Sequence, residues 1–278
     1  VILARLDVAL VNAVGQIGPA RSSVNPSALP PPPMNEQRRI AAILDKADAL
    51  RTKRRAAIAQ LDALTQSIFL DMFGDPATNP KGWPTTRLGG CSTKIGSGAT
   101  PTGGEDSYKR AGTALIRSLN VRDGHFSYRN LAFIDGHQAA KLNGVIVEAD
   151  DVLLNITGAS VARICRAPAE VLPARVNQHV CIIRPDRSFV PTFLEQLLLA
   201  PEVKKHLLRM AGAGATREAI TKGALEELVV ILPSRTLQRV LADRRESIEG
   251  LRNQERESLV KVDALFASLQ HRAFRGDL

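Results

Sequence analysis

The side chains best suited to chemistry stand at the ends of short apolar runs. Asp151-Val152-Leu153-Leu154 leads into Asn155-Ile156-Thr157-Gly158-Ala159-Ser160. This is a small polar loop in which a backbone can approach a phosphate, while Asn155, Thr157 and Ser160 offer hydrogen bonds. Arg117 and Asn120 follow the run Ala114-Leu115-Ile116. In a major groove an arginine can take guanine, and an asparagine or glutamine can take adenine. Gln178 is a candidate of the same kind, whereas its neighbour His179 reads as packed beside Val180 rather than catalytic. Thr216 and Arg217 lie beyond the Gly-rich stretch from Ala211 to Ala215, which suits close approach, and Lys222 is near them. Each of these residues alone reads equally well as an ordinary surface position. Their hydrogen-bonding types are compatible with a DNA partner without singling one out.

Enzyme signatures do not fit. An adenine methyltransferase needs a Gly-rich cofactor loop and an Asn/Asp-Pro-Pro-aromatic motif to hold a flipped base. Asp75-Pro76-Ala77-Thr78 and Asn79-Pro80-Lys81 are the nearest approaches, and neither has that form. Pro185-Asp186 with Glu202-Val203-Lys204 matches the letters of a magnesium-dependent nuclease cluster. The second group sits in an expected helix, where residues two apart point in different directions. There is no Walker-type phosphate loop. Cys91, Cys165 and Cys181 are scattered, so neither a zinc site nor a disulfide framework is indicated. No catalytic residue, metal or cofactor is assigned.

The elements that must position these loops follow from pattern. The strongest is a repeat. Shifted by 201 residues, Pro32-Pro33-Met34-Asn35-Glu36-Gln37-Arg38 falls on Pro233 to Arg239, and Asp62-Ala63-Leu64 falls on Asp263-Ala264-Leu265. In the first copy Ile43, Ala47, Leu50, Ala57, Leu61, Leu64 and Ile68 advance by threes and fours, broken at Arg54. In the second the matching line is Ile248, Leu251, Ser258, Val262, Leu265 and Leu269, broken at Glu255. A seam of period about 3.5 is the mark of helices that pack along each other. The breaks carry opposite charge. Prolines 30 to 33 stiffen the entry to the first helix, and Asn35 is placed to cap it.

Between the copies the period changes. Turn residues at Asn79-Pro80-Lys81-Gly82-Trp83-Pro84 mark a boundary. Strand-like runs follow at residues 114–117, 131–134, 145–147, 151–156, 179–183 and 228–232, with a helix expected over 191–210. The organisation read from this is a first helical region at 30–75, a β-rich domain at 76–232 and a second helical region at 233–278. Residues 1–29 stay unassigned, with the remnant of a preceding domain as one reading.

Net charge is +9 with a sequence pI near 9.9, which suits an anionic partner. The excess is diffuse, with 19 Lys and Arg against 14 Asp and Glu across residues 76–233. No apolar run reaches the ~18 residues a membrane span needs, and a cytoplasmic protein is expected.

The order of these words resembles the specificity subunit of type I restriction-modification systems, from about residue 28 onward. The matching words are Pro32 to Ala41, Gly82-Trp83-Pro84 with Leu88-Gly89, and Ser97-Gly98-Ala99-Thr100-Pro101. They continue with Ile116-Arg117-Ser118-Leu119-Asn120, Asp151 to Ser160, Asn177 to Val180, and Thr216 to Ile220. The resemblance implies an α+β fold, in which a β-rich target-recognition domain is flanked by two long helices forming an antiparallel coiled coil. It adds Thr100 and Ser118 to the DNA-contact candidates. It implies a non-catalytic subunit that binds double-stranded DNA and recruits modification (methyltransferase) subunits and, through them, the restriction subunit. Family members usually carry two recognition domains, and this chain has one. That departure implies a homodimer, a second specificity fragment, or a piece of a longer subunit. The competing reading is a stand-alone DNA-binding protein without methyltransferase partners.

Overall fold

The structure is a computed structural model that describes residues 33–212 and 219–275. By backbone contacts the chain forms two compact units, one of residues 62–249 and one in which residues up to 61 join residues 250 onward.

The larger unit is organised on a four-stranded sheet. Strand β1 (Thr85–Arg87) precedes β2 (Ser92–Ser97), β3 (Thr113–Ile116), β4 (Val121–Arg122), β5 (His125–Phe126) and β6 (Ala132–Ile134). After helix α2 (Gly136–Lys141) come β7 (Ile146–Val147), β8 (Val152–Asn155), β9 (Ile164–Arg166), β10 (Ala174–Val176) and β11 (Val180–Pro185). Helices α3 (Pro191–Leu199), α4 (Pro201–Gly212) and α5 (Lys222–Glu226) lead to β12 (Val229–Ile231). One sheet has the order β2-β11-β8-β9 and a second β6-β3-β10-β7, while β1 pairs with β12 and β4 with β5.

Strands β11, β8 and β9 of the first sheet are buried on both faces, while β2 at its edge has only Ile95 buried. Val152, Leu154, Ile164, Cys181 and Ile183 join a core with α3 and α4, while the alternating Leu153, Cys165, Val180 and Ile182 join a core with the second sheet. Residues of a strand alternate between faces, so a strand covered on both sides reads as a continuous apolar run. This is why the runs at β8 and β11 stand out in the sequence. The helix expected over 191–210 is two helices. The backbone leaves the helical region at Ala200, and Pro201 restarts it. A proline disfavours helical geometry in the residue before it. Glu202 and Lys204 lie within α4.

A buried charge chain ties α3 into this unit. Glu195, at 1% exposure, accepts from Arg245 and, at 3.1 Å, from Arg166, which also meets Asp150 at 2.7 Å. Burial would lower the Arg166 pKa, but Glu195 and Asp150 outweigh it and hold it above the ordinary guanidinium value.

The long helices are α1 (Met34–Phe73) and α6 (Arg235–Arg275). Asn35 lies inside the first turn of α1, not before it, because the helix already begins at Met34. Its C-terminus is closed by Gly74, at φ +75°, and by side chains on its last carbonyls: Lys81 Nζ on Asp71 O and Trp83 Nε1 on Phe73 O. The Gly-Trp-Pro word is thus a helix stop.

In the helical unit α1 and α6 pack as an antiparallel coiled coil. Arg51 meets Asp263 at 2.6 Å and lies 4.3 Å from the Phe266 ring centroid, while Arg54, one turn on, meets Glu255 at 2.8 Å. Going forward on α1 is going back on α6. The seam differs from the expected one at four leucines, while Ala57 and Ser258 of the expected line are half-buried. Leu50, Leu64, Leu251 and Leu265 are 45 to 53% exposed. Within this unit the covered line is instead Leu44, Ala47, Arg51, Arg54, Ile58 and Leu61 on α1, with Arg252, Glu255, Leu259, Val262, Phe266 and Leu269 on α6. Ala47, Leu61, Val262 and Leu269 stay on the expected line, and Ile43 is half-buried beside it. Ile68 and Ile248 belong to the larger unit, Ile68 packed against its core and Ile248 buried. The covered lines still correspond under the 201-residue shift, with Arg51 on Arg252 and Ile58 on Leu259. The long stems of Arg51 and Arg252 cover apolar surface there, so polarity alone misassigns them.

Candidate nucleic-acid interface

Strand register brings the candidate loops to one end of the larger unit. Ser97, at the end of β2, pairs with Cys181, and Asn155, at the end of β8, pairs with Val180. Val176, at the end of β10, pairs with Ile116, at the end of β3. The turn Asn177-Gln178-His179 joins β10 to β11 and so crosses from one sheet to the other. Five strand ends meet around that turn. Gly98 N donates to Asn177 O at 3.1 Å, Asn177 N to Ile116 O at 3.1 Å, and Ile156 N to His179 O at 3.0 Å. Gly98 is required where it stands, because a Cβ there would lie 1.8 Å from the Val176 carbonyl oxygen.

Four side chains form a polar chain across this end. The Thr100 hydroxyl donates to Gln178 Oε1, Gln178 Nε2 lies 3.1 Å from His179 Nε2, and His179 Nδ1 lies 2.5 Å from Thr157 Oγ1. The amide nitrogen can only donate, so His179 Nε2 accepts and Nδ1 carries the proton. In this tautomer Thr157 Oγ1 accepts from Nδ1, which leaves the Thr157 hydroxyl proton, one amide N–H of Gln178 and a lone pair on Oε1 to face a partner. Gln178 is exposed, and Thr100 and Thr157 are half-buried. The free groups make a donor and acceptor edge of the kind that reads a base. His179, read from sequence as packing, is the centre of this chain.

The other candidates divide by burial. Asn120 and Asn155 are both 0% exposed. Asn120 accepts from Arg117 N at 3.0 Å and donates to Ser127 O at 2.9 Å, and Asn155 donates to Ser118 O at 2.9 Å and Ser160 Oγ at 3.1 Å. A buried amide is kept because its bonds are made, so these two shape loops and do not face solvent. Asn155 Oδ1 has no bond partner within the described protein atoms. Arg117 is held by Glu105, by Asn130 O at 2.8 Å and over the Tyr108 ring at 5.0 Å, which leaves its side chain 13% exposed. Glu105 and Tyr108 were not legible as its partners, since both lie in a loop before β3. Lys222 is exposed at the start of α5, 3.5 Å from Glu226. Thr216 and Arg217 lie outside the described residues.

None of the three cysteines is held as a thiolate. Burial pushes the Cys91 thiol up to about 11, with Asp186 adding to it, and the Cys181 thiol up to about 12, and Cys165 is raised further by burial. Among the described residues no three His, Cys, Asp or Glu side chains are grouped to hold a metal ion, and no helix is long and apolar enough to cross a membrane. Asp186 accepts from Ser188, and Glu202 from Lys205 at 2.6 Å.

No family model matches the chain. It is 25% identical over 283 residues to the type I restriction enzyme EcoBI specificity subunit of Escherichia coli, across 90% of this chain and 58% of that protein. A chain from a structural study of complex assembly and conformational transition of the type I restriction-modification system superposes with a TM-score of 0.58 at 24% identity, over 89% of this chain and 61% of that one. The HsdS subunit from Thermoanaerobacter tengcongensis superposes with a TM-score of 0.52 at 23% identity, over 89% and 60%. This chain therefore spans somewhat over half the length of its relatives, and it has the α+β fold of the type I specificity subunits and is related in sequence to one of them.

Proposed function

We propose that the chain is a DNA-recognition subunit of a type I restriction-modification complex. On this reading the β-rich domain at 76–232 reads duplex DNA with the end of the unit built around Gln178. The helical regions at 30–75 and 233–278 recruit modification subunits and, through them, the restriction subunit. The observation that carries this reading is the convergence of five strand ends on one exposed glutamine whose hydrogen-bonding edge is oriented by Thr100, His179 and Thr157. Ser160 and Ser118, which meet Asn155, add hydrogen-bonding groups, Lys222 supplies a phosphate contact, and Asn120, Asn155 and Arg117 hold the loops. The chain performs no chemistry itself and works in the cytoplasm. A bipartite site would take a second such domain, supplied by a second copy, by another specificity fragment or by a longer subunit of which this chain is a piece. The stand-alone alternative is disfavoured, since the relatives named above are restriction-modification components.

The test is to co-express the chain with a type I modification subunit in a methylation-free host and map methylated adenines. The expected result is methylation confined to one short motif that is lost with Gln178→Ala. Methylation that appears at the same sites without the chain, or none in a complex shown to assemble, would contradict the reading.

A further inference from the structure

The centre of the helical unit carries two opposite charges on its covered lines. Arg54 Nη1 donates to both carboxylate oxygens of Glu255 at 2.8 Å, with side chains 40% and 24% exposed. Under the 201-residue shift these two residues are each other's counterparts. Counterparts that touch mark the point about which the two helix copies exchange. If α1 paired with the α1 of a second copy about that point, Arg54 would face Arg54, and α6 with α6 would set Glu255 on Glu255. Only α1 with α6 places opposite charges together.

Most of the rest of the line discriminates little, the exception being Phe266, whose counterpart Thr65 offers no ring to Arg51. Ile58 and Leu61 correspond to Leu259 and Val262, which are apolar in both copies. Arg51 corresponds to Arg252, and its acceptor Asp263 corresponds to Asp62, so the sequence offers an arginine and a carboxylate in every arrangement. Selectivity among otherwise similar helices comes from what the wrong pairing leaves opposed.

We propose that Arg54 and Glu255 select the pairing. They favour α1 against α6, within one chain or between two copies, and reject α1 with α1 and α6 with α6. The partner that fits either helix is a helix of the other kind bearing the opposite charge at its centre. The inference concerns the helices alone and stands whether or not the chain reads DNA.

The test uses the full chain with Arg55→Cys beside the centre. Cys91, Cys165 and Cys181 are buried, so an introduced thiol bridges to the same residue on a second copy. With Arg54 and Glu255 in place, mild oxidation should yield little disulfide-linked dimer. R54L/E255L in the same background should raise that fraction by roughly fivefold or more, because the opposed like charges are gone. R54E/E255R restores the attraction with signs exchanged and should return the fraction to the parent's level, with helicity by circular dichroism matching the parent. Equal dimer fractions in the parent and R54L/E255L, or a reversed pair that behaves like the leucine pair, would overturn the proposal.

Discussion

Strands β11, β8 and β9 bury both of their faces in apolar cores, whereas the helical pair covers one narrow line that includes Arg51, Arg54, Arg252 and Glu255. The difference is one of tolerance. A two-sided core excludes water and must be filled, so its positions are fixed by volume. A half-exposed seam can place an arginine stem where a leucine would fit, because the charged end still reaches water or a carboxylate. Stability should therefore be concentrated in the larger unit, and pairing selectivity in the smaller.

The sharpest contrast is a cavity in the core. Phe193 packs against Phe73 at 4.9 Å, Phe69 at 5.7 Å and Phe189 at 5.8 Å between ring centroids. Phe193→Ala should cost about 3 to 5 kcal/mol in denaturant unfolding. A loss under about 1 kcal/mol would mean that the aromatic cluster is not a rigid core. Within the helical unit the covered line can be checked by a matched pair. Ile58→Ala should cost on the order of 1 to 2 kcal/mol, discounted for partial burial, while Leu50→Ala should stay within about 0.5 kcal/mol. Equal effects would place the seam back on the leucines.

The smallest effect is a pH dependence at an exposed cap. Asp135 accepts from Gln138 N at 2.9 Å at the start of α2, and that bond holds its carboxyl below the ordinary value. The group's stabilisation is present above its unfolded pKa and is lost as the pH falls through the lower folded value. Asp135→Asn keeps a cap but removes the titration, so its melting temperature should fall less steeply with acid than the parent's. Parallel acid limbs would show that the bond contributes nothing measurable.

Much of this fold was legible because its physics is local. The runs at β8 and β11 announced buried strands, and the 201-residue shift announced paired helices. Half of the seam was misread since Leu50 and Arg51 differ by one position, and apolarity favours the wrong one. Strands such as β2 and β10 escaped notice, because Ser92 to Ser97 and Ala174 to Val176 are short and carry polar or small residues. In the candidate interface, residue type singled out Gln178 and Thr157, and the resemblance singled out Thr100. Residue type could not tell them from the buried Asn120 and Asn155, whose amides are turned inward to partners 3 to 37 residues away. His179 was passed over for the same reason, since the role of an imidazole is set by neighbours brought in by β2 and β8.

The account rests most on Gln178 reading bases while Lys222 meets phosphate. Both can be measured by binding of Gln178→Ala and Lys222→Ala, in complex with modification subunits, to cognate and scrambled duplexes over a range of salt. Gln178→Ala should lose roughly 1 to 3 kcal/mol on the cognate duplex and little on the scrambled one. Lys222→Ala should weaken both about equally and reduce the slope of log affinity against log salt by ~0.9. Equal losses on both duplexes for both variants would contradict the account, leaving this end of the domain a general DNA clamp.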